Sequence, residues 1–182
     1  MSEVDKIVKL LKDEAVERQI AGAIVLGELR AKGPKVVDGL GALLDSGIPL
    51  VQRHALEALE HCGAKKALPK IFPLLAARED EVRRAAVRAI SSLGKDVLPT
   101  IRQRMATATH DERRSLDAIL AELGGKDAFH TLLGSLSSSD AEDAKAAALA
   151  VRQQVKNADA RQRKSYLAEV DKFLKSQKKG LA

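Results

Sequence analysis

One pattern constrains this chain more than any other: an arginine followed ten residues later by a glycine, returning at a nearly constant interval. Arg53, Arg84 and Arg114 are separated by 31 and 30 residues, and Gly63, Gly94 and Gly124 follow them. A period in this range marks stacked supersecondary units, each of which buries its apolar face only against its neighbours. Between arginine and glycine lie apolar pairs at helical spacing: Ala58-Leu59, Ala89-Ile90 and Ile119-Leu120. Upstream sits a second apolar stretch, ending in Leu43-Leu44, Leu74-Leu75 and the weaker Arg104-Met105. Two helices per period are predicted.

The punctuation agrees. Gly63, Gly94 and Gly124 stand where a helix ends and a residue able to adopt positive φ is wanted. Leu68-Pro69 and Leu98-Pro99 repeat at an offset of 30, and Pro34 and Pro49 stand at similar points. In a first helical turn the N–H that proline lacks is unpaired anyway. Thr109 with Glu112, and Ser139 with Glu142, match the capping box, in which a hydroxyl and a carboxylate satisfy opposite backbone N–H groups.

Continued outward, the pattern divides the chain into repeats at about 4–33, 34–63, 64–94, 95–124 and 125–157. The second helix of the first repeat is expected to reach about Ala31. The fifth repeat is degenerate, with an Ala-rich second helix that lacks both the arginine and the glycine. Residues 160–177 carry Tyr166, Leu167, Val170, Phe173 and Leu174 at helical spacing and read as a capping helix, which stacked repeats need over their last apolar face. A basic tail at 178–182 completes a single domain. The predicted fold is all-α, a right-handed α-α superhelix of about five helical pairs plus the capping helix.

Val51-Gln52-Arg53-His54-Ala55-Leu56-Glu57-Ala58-Leu59 and Val82-Arg83-Arg84-Ala85-Ala86-Val87-Arg88-Ala89-Ile90 resemble the second helix of HEAT-like repeats, in particular the short bacterial type found in phycocyanobilin lyase subunits. The resemblance spans about residues 4 to 155. It implies a solenoid whose second helices line a concave partner-binding side, and a bacterial source. It also implies a ladder of arginines paired with acidic residues in the preceding turns: Asp13 with Arg18, Asp45 with Arg53, Asp80 with Arg84, and Asp111 with Arg114. Fold likeness alone transmits no activity.

On that reading the groove displays Arg53, Glu57, His61, Arg84, Arg88 and Arg114. The formal charge of +6 is unevenly spread, at −1 over residues 1–45, +2 over 46–77, +3 over 78–109, −2 over 110–139 and +4 thereafter. Arg78, Arg83, Arg102 and Arg104 extend the basic stretch of the third repeat. Arginine makes forked bonds to carboxylate and phosphate, so this stretch is the candidate surface for an acidic helix or segment of a partner protein. A nucleic-acid-binding module is the alternative reading, and an accessory subunit of a lyase-like enzyme the third.

Enzymatic constellations are not visible. The histidines, His54, His61, His110 and His130, lack the spacing of a zinc-binding helix, and His61 beside Cys62 diverges by about 100° around a helix. Ser135 to Ser139 have no adjacent base to activate a nucleophile. With no Trp, one Tyr and three Phe, the chain has few faces for stacking bases or caging cations. No cofactor or metal is expected. No apolar run approaches the length of a membrane span, the N-terminus lacks an export pattern, and one cysteine forms no internal disulfide. A non-enzymatic, monomeric scaffold or adaptor in the cytoplasm is the expectation.

Overall fold

The computed structural model describes residues 2–63 and 65–179, the side chains of 178 and 179 excepted. Of the expected basic tail at 178–182, residues 178 and 179 continue the last helix and 180–182 lie outside the described residues. All regular structure among the described residues is helical: α1 Glu3–Leu10, α2 Val16–Glu28, α3 Pro34–Leu43, α4 Pro49–Cys62, α5 Leu68–Ile71, α6 Asp80–Ser91, α7 Leu98–Met105, α8 His110–Leu123, α9 Lys126–Ser135, α10 Ala141–Asn157 and α11 Ala160–Lys179. Short 3-10 turns, Lys65–Ala67 and Phe72–Ala76, flank α5, and another covers Gly94–Val97. The helices pack as two compact units, residues 1–97 and 98–182.

Local chemistry sets the helix ends. Pro34 and Pro49 occupy the first turns of α3 and α4, and Gly63, at φ +68°, caps the end of α4 in the left-handed conformation. Ser2 and Asp5 form a reciprocal capping box on α1. The other two boxes differ from expectation. Thr109 caps α8, but the Glu112 carboxylate turns to Arg104. Asp140, not Ser139, caps α10 by accepting from the Asp143 N–H. Helix α2 ends at Glu28, three residues earlier than expected, because Arg30 takes a left-handed φ of 46° and the Ala31 N–H turns back to the Leu26 carbonyl. Those bonds satisfy the last carbonyls and let buried Ala31 close the end.

A further device recurs at the fourth residue of the second helices. Gln19 of α2 donates to the Asp13 carbonyl (2.7 Å), Gln52 of α4 to Leu44 (2.9 Å), Arg83 of α6 to Ala77 and Arg78 (2.6 and 2.8 Å), and Arg113 of α8 to Met105 (3.2 Å). Arg163, at the same place in α11, donates to Val155, Lys156 and Ala158. Each side chain reaches back to orphan carbonyls at the end of the preceding helix, the direction in which helical side chains point. Ala144 cannot do this in α10, and the turn before it closes instead with the Ser138 hydroxyl accepting from the Asp140 N–H.

In the first unit α2, α4 and α6 lie side by side, with Leu26, Leu40, Leu56, Leu59, Ile71, Leu75 and Ile90 wholly buried between them and the outer helices. Small residues set the spacing: a Cβ placed on Gly27 would lie 3.0 Å from the Cα of Ala58. In the second unit α8 packs on α10, Ile101, Leu116, Ile119 and Leu120 fill the core, and α11 is held by Tyr166 stacked on Phe129 at 4.0 Å. Leu167 and Leu174, assigned to the buried stripe of α11 from their spacing, are instead more than half exposed.

Gly27→Ala is expected to destabilise the protein by about 1–3 kcal/mol, since the added methyl meets backbone that cannot rotate away. Gly39→Ala is expected to cost less, because its Cβ would meet the movable Cδ1 of Leu11. Thermal unfolding of both variants checks the ordering.

Candidate partner-binding site

The inward faces of α2, α4 and α6 enclose a shallow cleft of about 410 Å³ in the first unit. Ala23, Gly27 and Ala58 form its floor, and their small size brings the α2 and α4 backbones together. Ile24, 43% exposed, Glu28, Glu57, Glu60, His61 and Arg88 stand around it.

A chain of polar contacts ties α4 to α6 along one wall. Glu81 pairs with Arg53 (3.5 Å), and Arg53 lies 3.1 Å from Nε2 of His54. Nδ1 of His54 lies 3.0 Å from Glu57, Glu57 lies 3.7 Å from Arg88, and Arg88 lies 3.4 Å from Glu60. One tautomer of His54 satisfies both neighbours, accepting at Nε2 from Arg53 and donating from Nδ1 to Glu57. The network fixes these side chains before any ligand arrives.

The arginines predicted to meet an acidic partner are thus placed as follows. Arg53 and Arg88 are in that network. Arg84 is exposed beside the Asp80 carboxylate (2.7 Å). Arg114 belongs to the second unit, where it pairs with Asp111 (2.7 Å) and borders a separate cleft with Ala118, Leu149 and Gln153. Of the remaining basic residues, Arg78 is exposed, Arg83 turns inward to turn carbonyls and Asp80, Arg102 bonds the Asp127 carbonyl and Thr131, and Arg104 bonds buried Glu112. Three of the four expected acid–arginine pairs form; Asp45 pairs with Lys70 rather than Arg53.

Sequence reasoning missed the buried acids of the second unit. Glu112 and Asp143 are the third residues of α8 and α10, where α4 and α6 carry buried Val51 and Val82. Each has a basic side chain beside it, Glu112 that of Arg104 and Asp143 that of His110, whose Nδ1 lies at 2.7 Å. Asp117 is 1% exposed and accepts from the Ser135 hydroxyl at 3.0 Å. The repeat alignment itself carried the signal, since acids stand there at positions held by Val and Leu in earlier repeats.

His110, Asp140 and Asp143 also bring three donor atoms within 4.8 Å of one another, close enough to share a cation. Two of them already bond each other, and Asp140 caps the helix. Cys62 is buried with its thiol beside the Leu26 carbonyl, and burial pushes its pKa up, away from the thiolate that binds metal.

Burial pushes the Asp117 carboxyl up to about 6, and the hydrogen bond and charge of Asp143 raise His110 above its ordinary value. Both groups bind protons more tightly folded than unfolded, so both add stability as pH falls through their folded values. The second unit is therefore expected to gain stability between about pH 7.5 and pH 5, by roughly 1 kcal/mol from Asp117. Asp117→Asn should remove that portion of the slope, as read by unfolding curves across this range.

The HEAT-repeat family model matches residues 37–119. No curated protein matches the chain. Among solved structures, one engineered protein is 25% identical, with 85% of this chain and 80% of that one covered at a TM-score of 0.54. A second engineered protein is 19% identical over 95% and 87% of the two chains, at 0.57. A designed armadillo repeat protein in complex with the peptide (KR)4 is 18% identical over 81% and 80%, at 0.50. HEAT-repeat likeness covers residues 37–119, and with regular structure that is all helical among the described residues the chain has the fold of an α-α solenoid repeat protein.

Proposed function

We propose that the protein is a non-enzymatic scaffold or adaptor that docks a partner protein on the α2/α4/α6 face, with Arg53, Glu57, His61, Arg84 and Arg88 around the contact and Arg114 serving a separate contact in the second unit. The observation that carries this reading is the open cleft itself. It has a floor of small residues, side chains joined by an ion-pair network, and an exposed apolar group, Ile24 (43%), at its edge, with Val25 (41%) and Leu29 (58%) exposed nearby in the chain. Apolar groups clustered on a polar surface mark contact sites, and a site that needs no ordering loses less on binding. The designed armadillo repeat protein described in complex with the peptide (KR)4 supports a peptide segment as a partner for this class of fold.

Nucleic-acid binding is the weaker reading, because Arg83, Arg102 and Arg104 bond carbonyls, a hydroxyl or carboxylates of their own chain. No helix among the described residues is long and apolar enough to cross a membrane.

Ile24→Asp is expected to abolish recovery of the partner captured by the parent protein from its host, while Leu149→Asp, on the second unit, leaves it unchanged. Equal recovery by Ile24→Asp, with its helical content intact by circular dichroism, overturns this assignment.

A further inference from the structure

We infer that the α2/α4/α6 cleft selects a positively charged partner segment, seating a lysine or arginine side chain among Glu28, Glu57 and Glu60 with an apolar neighbour against Ile24. The inference rests on the docking reading above and gives that site its chemistry.

The charges decide the sign. Three carboxylates, Glu28, Glu57 and Glu60, border the cleft, against a single guanidinium, that of Arg88, which two of them share. Arg53 adds no free cation, since Glu81 holds it on one side and His54 on the other. Lys32 lies nearby at the end of α4, where it donates to the His61 and Cys62 carbonyls and keeps its charge, so three carboxylates still outnumber the two cations, Arg88 and Lys32. His61 is the remaining titratable group at the cleft, exposed in the last turn of α4. A tally along the chain suggests an attractive surface for acids; the folded cleft has an excess of carboxylate.

The positions of those carboxylates add a second argument. Glu28 is the last residue of α2, and Glu60 lies in the last turn of α4. A helix C-terminus carries partial negative charge and favours cations, so an acid there works against the stability of its own helix. Glu28 is exposed and has no ion-pair partner among the described residues. Local stability does not account for a carboxylate in that place. A cation brought by a partner satisfies Glu28 and the unshared part of Glu57 and Glu60, and it meets the negative end of α2 as it does so.

The test uses the full-length, ¹⁵N-labelled protein and three labelled peptides of equal length, Ala/Lys, Ala/Gln and Ala/Glu, read by amide shifts and fluorescence anisotropy. The Ala/Lys peptide is expected to move amides of α2 and α4 around Glu28, Glu57 and Glu60 and to bind tightest, with affinity falling as salt is raised. Glu28→Gln should weaken it about two- to fivefold while leaving thermal stability equal or slightly higher. That combination separates lost recognition from lost folding. Preferential binding of the Ala/Glu peptide in the cleft overturns the charge assignment while leaving the docking face in place. Ala/Lys shifts confined to other surfaces, or an affinity unchanged in Glu28→Gln, overturn the inference as well.

Discussion

The architecture depends on how each second helix is tied to the turn before it. A helix ends with carbonyls that have no partner along the chain, and a tight connection to an antiparallel helix leaves little room for water to satisfy them. Gln19, Gln52, Arg83, Arg113 and Arg163 meet that need from one helical position, the fourth residue of the incoming helix. The bond ties the start of each of these helices to the turn before it, and the packing of α2, α4 and α6 side by side brings together the residues of the cleft.

Within this frame the two units solve the same packing problem with different chemistry. In the first, Val51 and Val82 at the third helical position are buried and need no partner, and small residues allow Gly27 to lie against Ala58. The second buries Glu112, Asp117 and Asp143, which require Arg104, Ser135 and His110 beside them. Burying a charge costs heavily unless it is paired and hydrogen-bonded. The first unit is thus largely indifferent to pH at these positions, and the second is not.

Much of the fold was legible in the sequence, because its signals are local. Proline at a first turn, glycine after a last one and apolar pairs at helical spacing depend on a few neighbouring residues. Which arginine of each adjacent pair turns back to its hairpin was not legible, for a physical reason. Arg83-Arg84 and Arg113-Arg114 are adjacent pairs, and an alignment on Arg53 selects the second member, whereas the first member points back into the turn; in the second repeat that first member is Gln52. The sign of the cleft was hidden as well, since Arg88 is neutralised by Glu57 and Glu60 from a different helix. The same limit applies to Leu167 and Leu174, whose spacing is right for burial but whose side chains remain more than half exposed.

Neighbouring arginines have different tasks, Arg83 holding turn carbonyls and Arg84 an exposed carboxylate, and unfolding free energies of Arg83→Ala and Arg84→Ala test this most directly. Arg83→Ala should lose about 1–3 kcal/mol, because turn carbonyls are left without donors, and Arg84→Ala, which breaks an exposed ion pair, should lose no more than about 0.5 kcal/mol. Equal losses, or a larger one for Arg84→Ala, would contradict it.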